Sequence, residues 1–304
     1  MRLKEVKERL KDGSLTLDKA PIEFRSNPEV VLEALTCEKH KYVGRSALNF
    51  ASDNLRSERE FIRRAAKNNH LILSWASEDI QADKEIVLEV VREWGWALEW
   101  ASEALRDDRT VVLEAVRETG CALMFASENL KADREVVLEA VKDDYLDGRD
   151  GSALKYASKR ILANKKFMLE VINRNGKNLQ YASKELRSDR ELVFEAIKKS
   201  GHALAYASYE LRADKEIVLY AVKKNGTALN YAAKELQEDW EVVRQAVGQS
   251  GFAFEYASEE LRANRILVLA AVQSYGYALL YAPDLYPARS RAAGRSADSR
   301  AFRV

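Results

Sequence analysis

The chain has 304 residues, 47% of them hydrophobic, and its 49 basic side chains against 48 acidic ones leave a net charge of +1. That is enough apolar material for two ordinary domains or one long array, while the near-neutral balance excludes a global electrostatic pull toward nucleic acid or anionic lipid. Two cysteines, Cys37 and Cys121, are too few for a disulfide framework, which favours a reducing, intracellular compartment.

The opening stretch, MRLKEVKERLKDGSL, mixes acids with bases and holds no apolar run of secretion-signal length, so residues 1–16 are expected to form an N-terminal capping helix. No run approaches the roughly 18 apolar residues of a membrane span. From residue 17 to 285 one unit recurs. Its aromatic residue, usually followed by Ala-Ser, stands at Phe50, Trp75, Trp100, Phe125, Tyr156, Tyr181, Tyr206, Tyr231, Tyr256 and Tyr281. The step is 25 residues except for 31 between Phe125 and Tyr156, and Lys19 holds the same place 31 residues before Phe50. Periods in this range mean stacked supersecondary units.

Each unit reads as two short helices. Around Tyr206, Gly201 stands where a left-handed helix C-cap is expected, and Gly95, Gly120, Gly151, Gly176, Gly226, Gly251 and Gly276 repeat the choice. A short helix then carries Ala203, Leu204, Tyr206 and Ala207 inward, and ELRAD turns the chain. Asp214 is placed to N-cap the second helix, as are Asp83, Asp108, Asp133, Asp189 and Asp239, with Asn27, Asn164 and Asn264 in the same role. That helix is apolar at Ile217, Val218, Leu219, Ala221 and Val222, an arc wide enough to demand neighbours on both sides. Pairs such as Glu114 with Arg117 and Glu195 with Lys198 line its outer face. The pattern predicts an all-α solenoid of about eleven two-helix repeats of 25 residues, two of them of 31. The segments YASKELRSDRELVFEAI, YASYELRADKEIVLYAV and FASENLKADREVVLEAV resemble the tandem helical-repeat family called domain of unknown function 4116. The resemblance covers roughly residues 17–283 and implies a fold while supplying no activity, cofactor or catalytic residue.

Chemistry is sought where unlike groups converge. The serine after the aromatic recurs at Ser52, Ser77, Ser102, Ser127, Ser158, Ser183, Ser208 and Ser258, and a residue present in nearly every layer is expected to satisfy backbone at a helix end rather than act as a nucleophile. The three histidines, His40, His70 and His202, sit at unrelated places in the unit with no ligand-spaced partners, so no metal site is expected. The insertion DDYLDGRDG, 143–151, fails as a calcium loop: with Asp143 first, Tyr145 falls on the third position and Leu154 on the terminal acid.

Two basic rows recur. One lies in the turn (Arg25, Arg56, Arg106, Lys131, Arg187, Arg212, Arg262). The other follows the cap (Arg59, Lys84, Arg109, Arg134, Lys165, Arg190, Lys215, Arg265). Acids one residue later, such as Glu85, Glu216 and Glu241, favour pairing between units over a phosphate-tracking ladder.

Partner choice is expected where copies differ. The residue before each aromatic and the one three places earlier share a face of the short helix and vary freely. Aromatics peculiar to one layer, Trp94, Trp96, Trp240, Tyr275 and Tyr277, are the candidate partner-binding residues, whereas Trp75 and Trp100 at the repeated position are assigned to the core. The tail 286–304, with five arginines (Arg289, Arg291, Arg295, Arg300, Arg303) against Asp298, is expected to order on a partner or on the last layer through Phe302. These residues point to a non-catalytic protein-binding or assembly scaffold without cofactor, possible as a subunit of a larger complex. A helical-repeat nucleic-acid-binding protein is the alternative.

Overall fold

Each layer is made of three pieces of helix rather than two. In a computed structural model, which describes residues 2–36, 48–67, 69–142 and 153–282, the layer of Tyr206 consists of a 3₁₀ segment, Gly201–Tyr206, a single helical turn, Tyr209–Arg212, and a ten-residue α-helix, Lys215–Lys224. The expected ELRAD turn is therefore itself helical. Cys37, His40, Gly151, the insertion 143–151 and the tail 286–304 lie outside the described residues. The chain divides into two compact units, Met1–Ile161 and Leu162–Val304. Each is an all-α stack of tandem repeats, with no strand among the described residues; the solenoid class expected from the sequence holds.

The 3₁₀ segment decides which side chains are buried. At three residues per turn, positions three apart eclipse one another. Gly201, Leu204 and Ala207 form the buried row, Ala203 and Tyr206 the flanking row, and His202 and Ala205 the outward row. Leu204 and Ala203 are fully buried, but Tyr206 is only half-buried. The repeated aromatics were expected in the core, and this is corrected: Trp75 and Trp100 are half-buried and Phe50 is 39% exposed. At three residues per turn the aromatic stands one third of a turn from the buried row, beside Ala203, and this leaves it on the flank.

The long helix follows expectation more closely. Ile217, Val218, Ala221 and Val222 are buried, spanning an arc of about 140°, while Leu219 is half-buried. Asp214 accepts the Ile217 N–H at 3.1 Å, and the other expected Asp and Asn caps make the same bond. The outer pairs also form, Arg117 to Glu114 at 2.7 Å and Lys198 to Glu195 at 2.6 Å.

Layers are joined by repeated contacts. The Ser208 backbone N–H donates to the Arg187 carbonyl of the preceding layer at 2.9 Å, and the equivalent bond recurs from Ser77 to Arg56 and from Ser102 to Gln81. Ala233 makes it to Arg212 at 2.9 Å without a hydroxyl, so the backbone is the staple. The serine hydroxyls contribute unevenly. Ser127 and Ser183 accept long cap bonds of 3.3 Å, whereas the Ser77 and Ser102 hydroxyls are buried without a hydrogen bond.

The glycines also join layers, in a way the sequence did not suggest. Gly13, at φ 73°, is the one described glycine in the left-handed region. The expected left-handed C-caps are therefore corrected. Gly201 begins the 3₁₀ segment after an extended Ser200 (φ −150°, ψ 117°), and a Cβ on it would lie 2.7 Å from the Ala221 carbonyl of the next layer. Glycine is used because the next helix comes too close for any side chain.

Charged groups form a third link. Lys84 reaches Asp108 at 2.6 Å, and Lys215 reaches Asp239 at 2.8 Å and Glu241 at 3.0 Å; Arg59, Arg109, Lys165 and Arg190 make the same inter-layer reach. Each cap aspartate thus serves its own helix with one oxygen and the preceding layer's base with the other. Burial opposes ionisation of Asp108, Asp189 and Asp239, but the bonds to Lys84, Lys165 and Lys215 and to the cap N–H groups outweigh it and hold these carboxyls below their ordinary 3.8. At the N-terminus, the helix Leu3–Lys11 buries Val6 and Leu10 and pairs Lys7 with Glu29 of Pro28–Thr36 at 3.3 Å.

Candidate partner-binding site

The outward row of the 3₁₀ segments is where layers differ, and its residues are exposed or half-buried, never buried, because the buried row takes the other side of a three-fold helix. In the first unit it carries Leu71 and Ser74, then Trp96 and Glu99, then Cys121 and Met124. Trp96 is 45% exposed and meets only the edge of Phe125 among ring partners, at 5.9 Å and 74°. Beside it opens a cavity of about 390 Å³ lined by His70, Leu71, Trp94, Trp96, Glu99 and Trp100. Trp100 also lines a smaller cavity of about 150 Å³ with Leu48, Asn49, Ser74 and Trp75.

Trp94 and Trp96 play different parts in this cavity. The Trp94 indole N–H donates to the Ala66 carbonyl of the preceding layer at 2.7 Å and its ring leans on His70 at 5.7 Å, so Trp94 is a half-buried strut. Trp96, two residues on, faces outward. Glu99 lies three residues beyond Trp96, hence directly above it on the row, and makes no ion pair among the described residues. The sequence reading puts Glu99 and Leu71 on the variable face without naming them as binding residues, misses His70, and places Trp100 in the core.

In the second unit the row carries Lys177 and Gln180, His202 and Ala205, Thr227 and Asn230, Phe252 and Glu255, and Tyr277 and Leu280. The place matching the tryptophan cavity is closed by a polar ring. The Asn225 amide donates to His202 Nδ1 at 3.4 Å, His202 Nε2–H donates to Thr227 Oγ1 at 2.9 Å, and that hydroxyl donates to Asn225 Oδ1 at 2.6 Å. The ring closes only with neutral histidine. Burial, then the charge of Lys177, hold His202 below its ordinary 6.5.

Tyr275 and Tyr277 pack at 5.7 Å, and Phe252 joins Tyr275 at 5.4 Å. Tyr277 is 68% exposed and Tyr275 half-buried. Phe252 was missed although it holds the same row position as Trp96. Trp240, 38% exposed, begins the helix Trp240–Gln249, at the opposite end of the layer from the tyrosines by roughly 15 Å of helix. It replaces the base of the inter-layer ion pair, and at the place in the next layer that holds the partner acid elsewhere stands Ile266, which is exposed, as is Leu269. A separate cleft of about 640 Å³, lined by residues including Lys184, Arg187, Tyr206, Tyr209 and Glu210, follows the one-turn helices and is built largely from positions that every layer repeats.

The turn row of bases is half-buried, not an exposed rail. Arg56 Nε donates to the Trp75 carbonyl at 2.8 Å with its guanidinium over that ring at 5.8 Å, and Arg262 donates to the Tyr281 carbonyl at 3.0 Å. Inter-layer ion pairing, expected for both rows, is found among the described residues of these rows only in the one after the cap; Arg56 and Arg262 instead reach carbonyls of the next 3₁₀ segment, and Arg106, Arg187 and Arg212 bury an Nε without a hydrogen bond. Among the described residues no cluster of His, Cys, Asp and Glu could hold a metal ion, and no helix is long and apolar enough to cross a membrane.

Fold and surface together define a tandem helical-repeat protein with layer-specific aromatics on a repeated frame. The family model described as domain of unknown function (DUF4116) matches residues 37–81, 83–131, 108–162, 133–187, 164–212, 189–237 and 239–286. The chain belongs to this family. No curated protein and no solved structure matches it.

Proposed function

We propose that the chain is a non-catalytic scaffold that binds a protein partner through the outward row of its 3₁₀ segments, with the tryptophan cavity of the first unit as the principal contact. The observation that carries this reading is Trp96: a large aromatic, 45% exposed, at the rim of a cavity of about 390 Å³, on the row whose residues differ from layer to layer. Binding energy in such surfaces concentrates in aromatic anchors of this kind. The rest of the frame is repeated, and bases after the caps such as Lys84, Lys165 and Lys215 are engaged by acids of the next layer.

The test compares proteins captured by the full chain with those captured by Trp96→Ala, after circular dichroism shows both equally folded. A partner present on the wild type and absent from the variant supports the reading. Identical capture by both overturns it. If the captured species is instead nucleic acid whose retention falls steeply with salt, the alternative class applies.

A further inference from the structure

The lining of the tryptophan cavity has a definite electrostatic character. Three indoles, Trp94, Trp96 and Trp100, surround it, and an indole presents a negative face to whatever lies against it. The carboxylate among the lining residues, Glu99, has no ion pair among the described residues, and none of the described residues lining the space is a lysine or arginine. The cavity therefore offers aromatic faces and one uncommitted negative charge.

The chain itself shows what such a face takes. One layer earlier, Arg56 lies over the Trp75 ring at 5.8 Å. In the layer that serves Trp100 the same position is Gln81, which donates its amide to the Leu73 carbonyl at 2.8 Å and the Ala76 carbonyl at 3.4 Å. Trp100 thus lacks the arginine that the repeat supplies to Trp75.

We infer that the cavity is a receptor for an arginine side chain presented by the partner protein, stacked between the indoles with its guanidinium paired to Glu99. Arginine fits better than lysine, because its planar, weakly hydrated head stacks on aromatic faces and can donate two parallel N–H bonds to one carboxylate. The inference rests on the scaffold reading and specifies the chemistry of its contact.

The experiment uses full-length protein labelled with ¹⁵N and follows the indole N–H resonances during titration with the peptide acetyl-Gly-Arg-Gly-amide. Its citrulline counterpart, isosteric and uncharged, serves as the control. The Trp94, Trp96 and Trp100 signals are expected to shift saturably with the arginine peptide while Trp240 stays still. The citrulline peptide should bind at least about fivefold more weakly, and Glu99→Gln should weaken the arginine peptide about threefold to tenfold. Glu99 is exposed, so that variant retains its fold, and an unchanged melting curve verifies this. Equal binding of the two peptides, or no effect of Glu99→Gln, overturns the inference. Partner capture that depends on Trp96 but ignores Glu99→Gln would keep the scaffold reading and remove the arginine.

Discussion

At one position of the repeat the two units have made opposite choices. In the first, Trp94, Trp96, Glu99 and Trp100 hold open a cavity. In the second, Asn225, Thr227, Asn230 and Tyr231 occupy the corresponding places, and Asn225 and Thr227 close a ring of hydrogen bonds with His202. Beneath both, the same buried row recurs: Gly95, Leu98 and Ala101 in one, Gly226, Leu229 and Ala232 in the other. A rigid frame satisfied by backbone staples and buried leucines leaves the outward row free to change without cost to folding. That separation lets a repeat diversify.

If the frame is equivalent under the two surfaces, Leu98→Ala and Leu229→Ala should each cost about 3 kcal/mol in urea denaturation. Unequal costs would break the comparison at its base. Gly251→Ala should cost about 2 kcal/mol, because its Cβ would meet the Ala271 carbonyl at 2.5 Å, whereas Gly276→Ala, with nothing within 4 Å, should stay within about 0.5 kcal/mol. The same loss at both glycines would return the role to backbone conformation.

The tryptophans sharpen the contrast further. Trp94→Ala, which removes a buried-side hydrogen bond and packing between layers, should cost about 2 kcal/mol. Trp96→Ala should cost under about 1 kcal/mol, the worth of its edge contact with Phe125.

The polar ring of the second unit predicts a pH dependence that the cavity lacks. His202 is held below its ordinary 6.5 when folded, so the unfolded chain takes up the proton first. Its stabilisation is complete above that value and is lost as pH falls through the folded pKa. Comparing wild type with His202→Gln in melts between pH 7 and pH 5 should show a small extra loss in the wild type, on the order of a few tenths of a kcal/mol. Parallel curves would mean that the ring tolerates the cation. The smallest effect is expected at Ser77→Ala, where removing a buried hydroxyl that makes no bond should be neutral or slightly stabilising.

How much of this could be read beforehand depended on the range of the interaction. The caps were legible because Asp214 bonds to a backbone N–H three residues away, within one turn of its own helix. The repeat itself, the apolar arc at Ile217, Val218, Ala221 and Val222, and the (i, i+3) pairs were legible for the same reason. The ion pairs after the cap were half legible: residue types and spacing suggested partners between layers, and the stack supplied them.

By itself, then, the amino-acid sequence determined the all-α tandem repeat, its caps, its family and the row along which copies vary, all of which follow from local hydrogen bonding and from periodicity. Only the tertiary structure decided that the glycines yield to a neighbouring carbonyl, that a backbone N–H and not a serine hydroxyl joins layers, and that the repeated aromatics lie on a flank. It also separated Trp94, a strut bonded to Ala66, from Trp96, an exposed rim, although a single residue, Gly95, divides them. The physical reasons lie in the segment's own period and in the neighbouring layer. The aromatics depend on the three-residue period of their segment, and the other three on what the adjacent layer places against the residue, about one repeat away in the chain, of which a side chain's own spacing carries no record.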